Sequence, residues 1–263
     1  LFALDVTDPS TFASGAASAV TMWEFTDNNL GNMTEAAQIA LLKWGESDYR
    51  WSAVFSNGYD APAGKSGLFI LDIADTANRK FIDLGSGNGL SPVRLVDHLD
   101  SDGNPNSDGV ADRAYAGDLD GNLWAFDLTG GADSWTASAN FEVLYAAKDA
   151  DGNAQPITAQ PDVARNDFDS TLADPNLLVF FGTGKYLEAA DIPQAEDASD
   201  AQPQTFYGIS DRGTNVNATN LALSRSDLVK REFTGGSVTV DGESVPVRKT
   251  DGEALEDWSA KFG

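Results

Sequence analysis

A phrase recurs along the 263-residue chain: an apolar strand ending in Asp, a polar turn, then a second strand carrying an aromatic. It reads LFALDVTDPS followed by VTMWEF from Leu1, GLFILDIADTANRKFIDL from Gly67, NLWAFDLTGG followed by FEVLYAA from Asn122, and TFYGISDRG from Thr205. Other strand-like runs fill the intervals. AAQIALLK and YRWSAVFSNG precede the second phrase, RAYAGDL the third and NLLVFFGTGKYL the fourth. Helical period is nearly absent, and Val, Ile, Phe, Trp and Tyr concentrate between Gly, Asp and Asn clusters, which predicts an all-β chain. Several strands per repeat, at irregular spacings of about one blade plus insertions, predict blades around an axis. The expected fold is therefore a modified β-propeller, an incomplete ring of about four to five blades. Residues 1–263 would form a single propeller domain or a fragment of one.

Each blade has to bury both faces, which accounts for near-continuous apolar runs such as Leu177 to Phe181. Glycines in FSNG, YAGD and FFGTG would let inner strands and tight turns approach the axis. Residues 189–204, rich in Asp, Ala, Gln and Pro, read as an inserted, exposed loop. Ser237 to Lys249 reads as a hairpin turning at Asp241-Gly242, with Pro246 on an edge strand. Ser224 to Phe233 reads as a short helix capped by Ser224 or Ser226. The chain opens at Leu1-Phe2-Ala3-Leu4-Asp5, already inside a strand pattern, and reads as a piece of a longer protein from which any targeting segment has been separated.

The densest chemistry lies in 97–112, a run of oxygen-bearing side chains that leads into the strands around Asp120-Gly121-Asn122. Calcium takes six to eight oxygen ligands, and a loop can present them when carboxylates and amides alternate. Placing Gly109 at the sharp turn of an EF-hand-type loop puts Asn104, Asn106 and Asp108 at the first, third and fifth positions. The Val110 carbonyl then takes the seventh and Asp112 the ninth. The twelfth position is Tyr115 rather than the bidentate Glu of an EF-hand, so the expected loop is a shorter form closed by Asp112. Asn104 is a weak first ligand, and Asp102 or Asp100 can supply the charge instead. The competing reading is a solvated acidic loop, since Asp, Asn and Gly also build ordinary turns.

Similar weighing applies elsewhere. Asp118 and Asp120 could extend a cation site, but Asp-Gly-Asn is also a hairpin turn, and the turn is favoured. Asp149, Asp151 and Asn153 alternate in the same way, yet the position where a closing acid would stand is Ile157. GYDAPAGKS at Gly58 resembles a phosphate loop with one residue too many and a strand where a helix N-terminus is needed. GTGKY at Gly182 fails for the same reason. Both read as blade turns. Trp23, Trp51, Trp124 and Trp135 read as packing residues rather than a sugar platform. Carboxylates are too many for spacing alone to single out a glycosidase pair.

Charge and missing residue types exclude several classes. Seventeen basic against 41 acidic residues, a formal charge of −24, repel nucleic acid and anionic membrane surfaces. With no cysteine there are no disulfides or thiolate sites. The single histidine, His98, lies in the acidic run, where it reads as a loop residue, and cannot support a histidine-based zinc site or triad chemistry. No apolar run is long enough for a transmembrane helix.

Taken in order, SDGVADRAYAGDLDGNLWAFDL from Ser107, VFSNGYD with GLFILDI, AQPITAQPDV from Ala154, VFFGTGKYLEAAD from Val179 and TFYGISD from Thr205 cover most of the chain. Together they resemble the C-terminal domain of PilY-type type IV pilus biogenesis proteins. The resemblance implies a propeller shaped like the quinoprotein dehydrogenases, with one Ca2+ loop on a blade. It carries the calcium role onto Asn106, Asp108, Val110 and Asp112, and onto Asn104 with a departure, since the family more often has Asp there. It also implies a non-catalytic role at the cell surface or pilus tip, reached by export through the periplasm and outer membrane. Pilins and minor pilins would be the partners, with pilus extension, surface adhesion and twitching motility the outcomes. Two alternatives stand beside it. A quinoprotein-like dehydrogenase would need basic residues converging on an anionic cofactor, and the 17 here do not cluster in sequence. A lectin-like glycan-binding propeller is compatible with the first reading.

Overall fold

The computed structural model describes residues 1–12, 17–87, 89–99, 103–104, 107–166, 175–192, 201–213, 225–230, 233–240 and 243–250. The chain divides into two compact units, Leu1–Ala222 and Leu223–Gly263. In the first, β1 (Phe2–Leu4) pairs with β2 (Thr21–Glu24), separated by short helical turns. Next come β3 (Gln38–Lys43), β4 (Tyr49–Ser56), β5 (Lys65–Asp72) and β6 (Arg79–Ser86). A second set follows: β7 (Arg94–Val96), β8 (Arg113–Gly117), β9 (Asn122–Asp127) and β10 (Phe141–Ala146). Last are β11 (Asp162–Arg165), β12 (Leu177–Gly182) and β13 (Phe206–Asp211). Sheets β3-β4-β5-β6 and β7-β8-β9-β10 are four-stranded antiparallel meanders and β11-β12-β13 is three-stranded, the blade pattern of a propeller.

The repeated phrases fall where expected: β1 with β2, β5 with β6, β9 with β10, and β13. Strands β7 (RLV) and β11 (DVAR) escape sequence reading because they are short and lack an alternating apolar pattern. Blade stacking accounts for the continuous apolar runs. In β4 and β5, Val54, Leu68 and Ile70 pack toward Ala114, Ala116 and Phe126 of the second meander. Their neighbours Ala53, Phe55, Phe69 and Leu71 pack on the opposite face against Phe25 and Trp23. Each buried Val, Leu, Ile or Phe side chain among these contributes about 1.5–3 kcal/mol, and a one-residue slip of β5 would exchange the two faces.

Backbone bridges link one sheet to the next at the ends of the second strands. Asn32 bridges Tyr59, Gly58 bridges Leu90, Leu90 bridges Asp118, and Ile157 bridges Gly184. Gly58 adopts φ +71°, and a Cβ there would lie 2.3 Å from the Asn32 carbonyl oxygen. A Cβ on Gly117 would lie 2.2 Å from Ile157 Cγ2. The expected close approach therefore holds in FSNG and YAGD. In FFGTG it differs: the nearest atom to a Cβ on Gly182 is 4.0 Å away, and Gly184 carries the positive φ.

The GYDAPAGKS segment is a turn feeding β5, with Gly64 N–H bonded to the Ala61 carbonyl. Lys65 pairs with Asp83 and Lys185 with Asp191, so both lysines of the phosphate-loop look-alikes are committed to carboxylates. Trp135 is fully buried, and Trp23 and Trp124 are half-buried. Trp51 departs from the expectation: it is 60% exposed, although Ala53 and Phe55 on the same face of β4 are buried. In the inserted stretch, Ala189–Asp191 forms an exposed 3-10 turn; residues 193–200 lie outside the described residues.

In the second unit, β14 (Phe233–Val240) and β15 (Glu243–Thr250) form a hairpin whose Ser237 pairs with Pro246. This extends the expected hairpin at both ends. The short helix expected over 224–233 is instead a 3-10 turn, Arg225–Asp227, since Phe233 already belongs to β14.

Candidate functional site

The acidic run is the connection between β7 and β8, and its neck is fixed from three sides. Asp112 N–H donates to the Val96 carbonyl (2.9 Å), the Asp112 carbonyl accepts from Leu128 N–H (2.7 Å), and Ala111 N–H donates to the Leu41 carbonyl (2.9 Å). Val110 bridges Leu41 of the neighbouring meander in parallel. The loop thus starts on one blade and is clamped against the next.

Within the loop, carboxylates organise the backbone. Asp97 accepts from the N–H groups of Asp108 (3.2 Å) and Gly109 (2.7 Å), and Asp108 Oδ1 accepts from Val110 N–H (2.9 Å). Asp112 Oδ2 accepts from His98 and Leu99 N–H at 3.0 and 2.9 Å, with His98 Nδ1 3.6 Å away. Gly109, set at the sharp turn by its spacing, has φ +92°, a conformation that glycine adopts without a Cβ penalty. Burial, with the charges of Asp97 and Asp108 adding to it, pushes the Asp112 carboxyl up to about 6, against the backbone N–H bonds that hold it down. Negative charge is therefore gathered here at a cost.

A cleft of about 150 Å³ beside the neck is lined by Lys43, Tyr49, Asp108, Val110, Asp112 and Thr129, among others. Of the residues expected to hold a cation, Asp108, Val110 and Asp112 come together at this cleft. Asn104 is exposed in the bend at 103–104. Asn106 and Asp102, together with Asp100, lie outside the described residues. Among the described residues, no three His, Asp or Glu side chains are grouped to hold a metal ion. The donor set is nonetheless all oxygen, and Asp108 and Asp112 each spend a single oxygen on backbone N–H groups, so its chemistry fits a hard cation. Sequence reading missed the part of Asp97: its partners lie eleven and twelve residues on, beyond any local turn pattern.

The other acidic candidates are turns. Asp118 is buried and accepts from Asp120 N–H, Asn122 N–H, Asn122 Nδ2 and Trp124 Nε1 at 2.8–2.9 Å. Asp149 repeats the pattern with Asp151 N–H, Asn153 N–H and Asn153 Nδ2, and also accepts from Gln202 Nε2. Gly121 and Gly152 take φ +82° and +89° in these two Asp-X-Asp-Gly-Asn turns. Donors fill both carboxylates, as the turn reading requires.

Blades of this order and pairing, with a long acidic loop on the second meander, define a β-propeller portion. The match to known proteins is specific: the "PilY1 beta-propeller domain" family matches residues 1–239, and the chain belongs to that family. The type IV pilus biogenesis factor PilY1 of Pseudomonas aeruginosa (strain PAK) is 37% identical over 254 residues, covering 87% of this chain and 20% of that protein. A Xylella fastidiosa homologue is 32% identical over 243 residues, covering 85% and 15%. The crystal structure of the P. aeruginosa PilY1 C-terminal domain superposes with a TM-score of 0.68 at 32% identity, covering 95% of this chain and 51% of that one. The chain thus spans about a fifth of the length of the curated relatives it matches.

Proposed function

We propose that this chain is a non-catalytic, calcium-binding propeller module of a type IV pilus assembly and tip protein, in which the ion orders the 97–112 loop. Its partners would be pilins and minor pilins, and its setting the cell surface, where it supports pilus extension, adhesion and twitching motility. The relatives' printed role in type IV pilus biogenesis supports the pilus setting. The observation that carries the calcium reading is that Asp108, Val110 and Asp112 line one cleft, where the charges of Asp97 and Asp108 repel that of Asp112. A divalent cation would offset that repulsion. Asp108, the Val110 carbonyl and Asp112 would hold it, with Asn104, Asn106 and Asp102 completing the shell. Against a dehydrogenase reading, Arg50, Lys65, Lys80, Arg94, Arg113 and Lys185 are each paired to a different carboxylate rather than converging on an anionic cofactor.

The test is calcium titration by calorimetry on the chain and on an Asp108→Ala, Asp112→Ala double variant, with thermal unfolding in parallel. Saturable one-site binding that the double variant loses is expected. At a free calcium concentration 100 times Kd, binding adds about 2.7 kcal/mol of stability. Equal, weak binding by both proteins would refute the site.

A further inference from the structure

The loop ends on a residue pair that reaches two neighbouring blades. Asp112 lines the cleft with Lys43 and Tyr49 of the β3–β6 meander. Side chains alternate along an extended strand, and the next residue, Arg113, reaches the β11–β13 sheet. Its Nε donates to Asp211 Oδ2 at 2.5 Å and to Tyr115 Oη at 3.1 Å. Tyr115 Oη donates to the same Asp211 oxygen at 2.6 Å, and Glu142 lies 3.9 Å from Arg113 Nη2. Arg113 is 4% exposed, and Tyr115 and Asp211 are fully buried. Such a pair is costly to desolvate, so its geometry is tightly held, and removing one partner strands a buried charge.

The backbone carries this rigidity to the loop. Arg113 sits mid-sheet, in register with Val96 of β7 and with Asp127 of β9. Asp112 is bonded on both sides as well, to Val96 and Leu128. The Asp112 backbone, from which its carboxylate projects, cannot shift without moving that of Arg113, and the Arg113 side chain is held by Asp211 of the neighbouring sheet.

We infer that Arg113, Asp211 and Tyr115 are positioning residues for the cation loop: they set the placement of Asp112 and link loop occupancy to strand β13. This rests on the calcium reading of the loop. Because coupling is reciprocal, a cluster that transmits calcium binding to β13 also sets calcium affinity.

The experiment compares the wild-type chain with Asp211→Asn and with the milder Tyr115→Phe, which keeps the ion pair. Calcium affinity is read by calorimetry, and hydrogen exchange of 206–211 is followed with and without calcium. In the wild type, calcium is expected to slow exchange in 206–211. Asp211→Asn should keep one-site stoichiometry, bind about tenfold more weakly and lose that protection, and Tyr115→Phe should fall about threefold. A purely structural cluster would lower thermal stability equally with and without calcium and leave affinity within about twofold. That result, in either variant, overturns the inference. If Asp211→Asn does not fold, Tyr115→Phe decides alone. Failure of the wild type to bind calcium refutes the loop reading itself, and this inference with it, and is distinguished by appearing before any variant is compared.

Discussion

Replacing Asp118 by Ala tests whether its carboxylate serves the turn or a cation. The side chain accepts four hydrogen bonds, from Asp120 N–H, Asn122 N–H, Asn122 Nδ2 and Trp124 Nε1. A hydrogen bond to a charged acceptor contributes about 1.5–3 kcal/mol, so the gross loss is on the order of 6–12 kcal/mol. Much of that is recovered, because Asn122 and Trp124 are only half-buried and their donors regain water. A net loss of about 2–4 kcal/mol is expected. Asp118→Asn keeps an acceptor for the backbone N–H groups but turns an amide toward Asn122 Nδ2 and Trp124 Nε1, so it should lose about half as much. Urea unfolding followed by circular dichroism and tryptophan emission measures both variants, and calorimetry checks calcium stoichiometry, which neither should change. A loss below about 1 kcal/mol for Asp118→Ala, or a calcium site that vanishes with it, would refute the turn assignment.

Gly58→Ala should cost about 2–4 kcal/mol, the sum of left-handed backbone strain and a clash with the Asn32 carbonyl. That corresponds to about 4–16 °C in Tm by scanning calorimetry. Gly64→Ala, at φ +63° but with open space around its Cβ, should cost only about 1 kcal/mol and serves as the control. Acid should weaken the Asp149 turn in a defined window. The Gln202 amide, with the turn's own donors, holds its carboxyl at about 2, below the ordinary 3.8. A lowered folded-state value means that the contribution is present above about pH 4 and is lost as pH falls through about 2. Melting curves of the chain and of Asp149→Asn should therefore converge across that interval, and a constant separation would refute the assignment.

The blade pattern was legible because blade packing imposes a local signature. Burying both faces demands runs such as SGLFILD, and antiparallel connections demand turns such as Asp-Gly-Asn, so β5, β9, β12 and β13 could be read directly. The turn at Gly109 was legible for a similar reason: a glycine among Asp and Asn residues is a local turn feature, and Gly109 takes a positive φ. Strands β7 and β11 were not, since three- and four-residue edge segments gain their identity from pairing with β8 and β12. Exposure of Trp51 was equally hidden, because its local pattern does not set it apart from Ala53 and Phe55, which are buried on the same face of β4. The same holds for Asp97 closing the loop from eleven residues away and for Arg113 meeting Asp211 from 98 residues away. Periodicity and turn chemistry are written residue by residue along the chain. The pairing of distant carboxylates with backbone or guanidinium depends on how sheets stack, which is settled by burial and register acting over the whole unit.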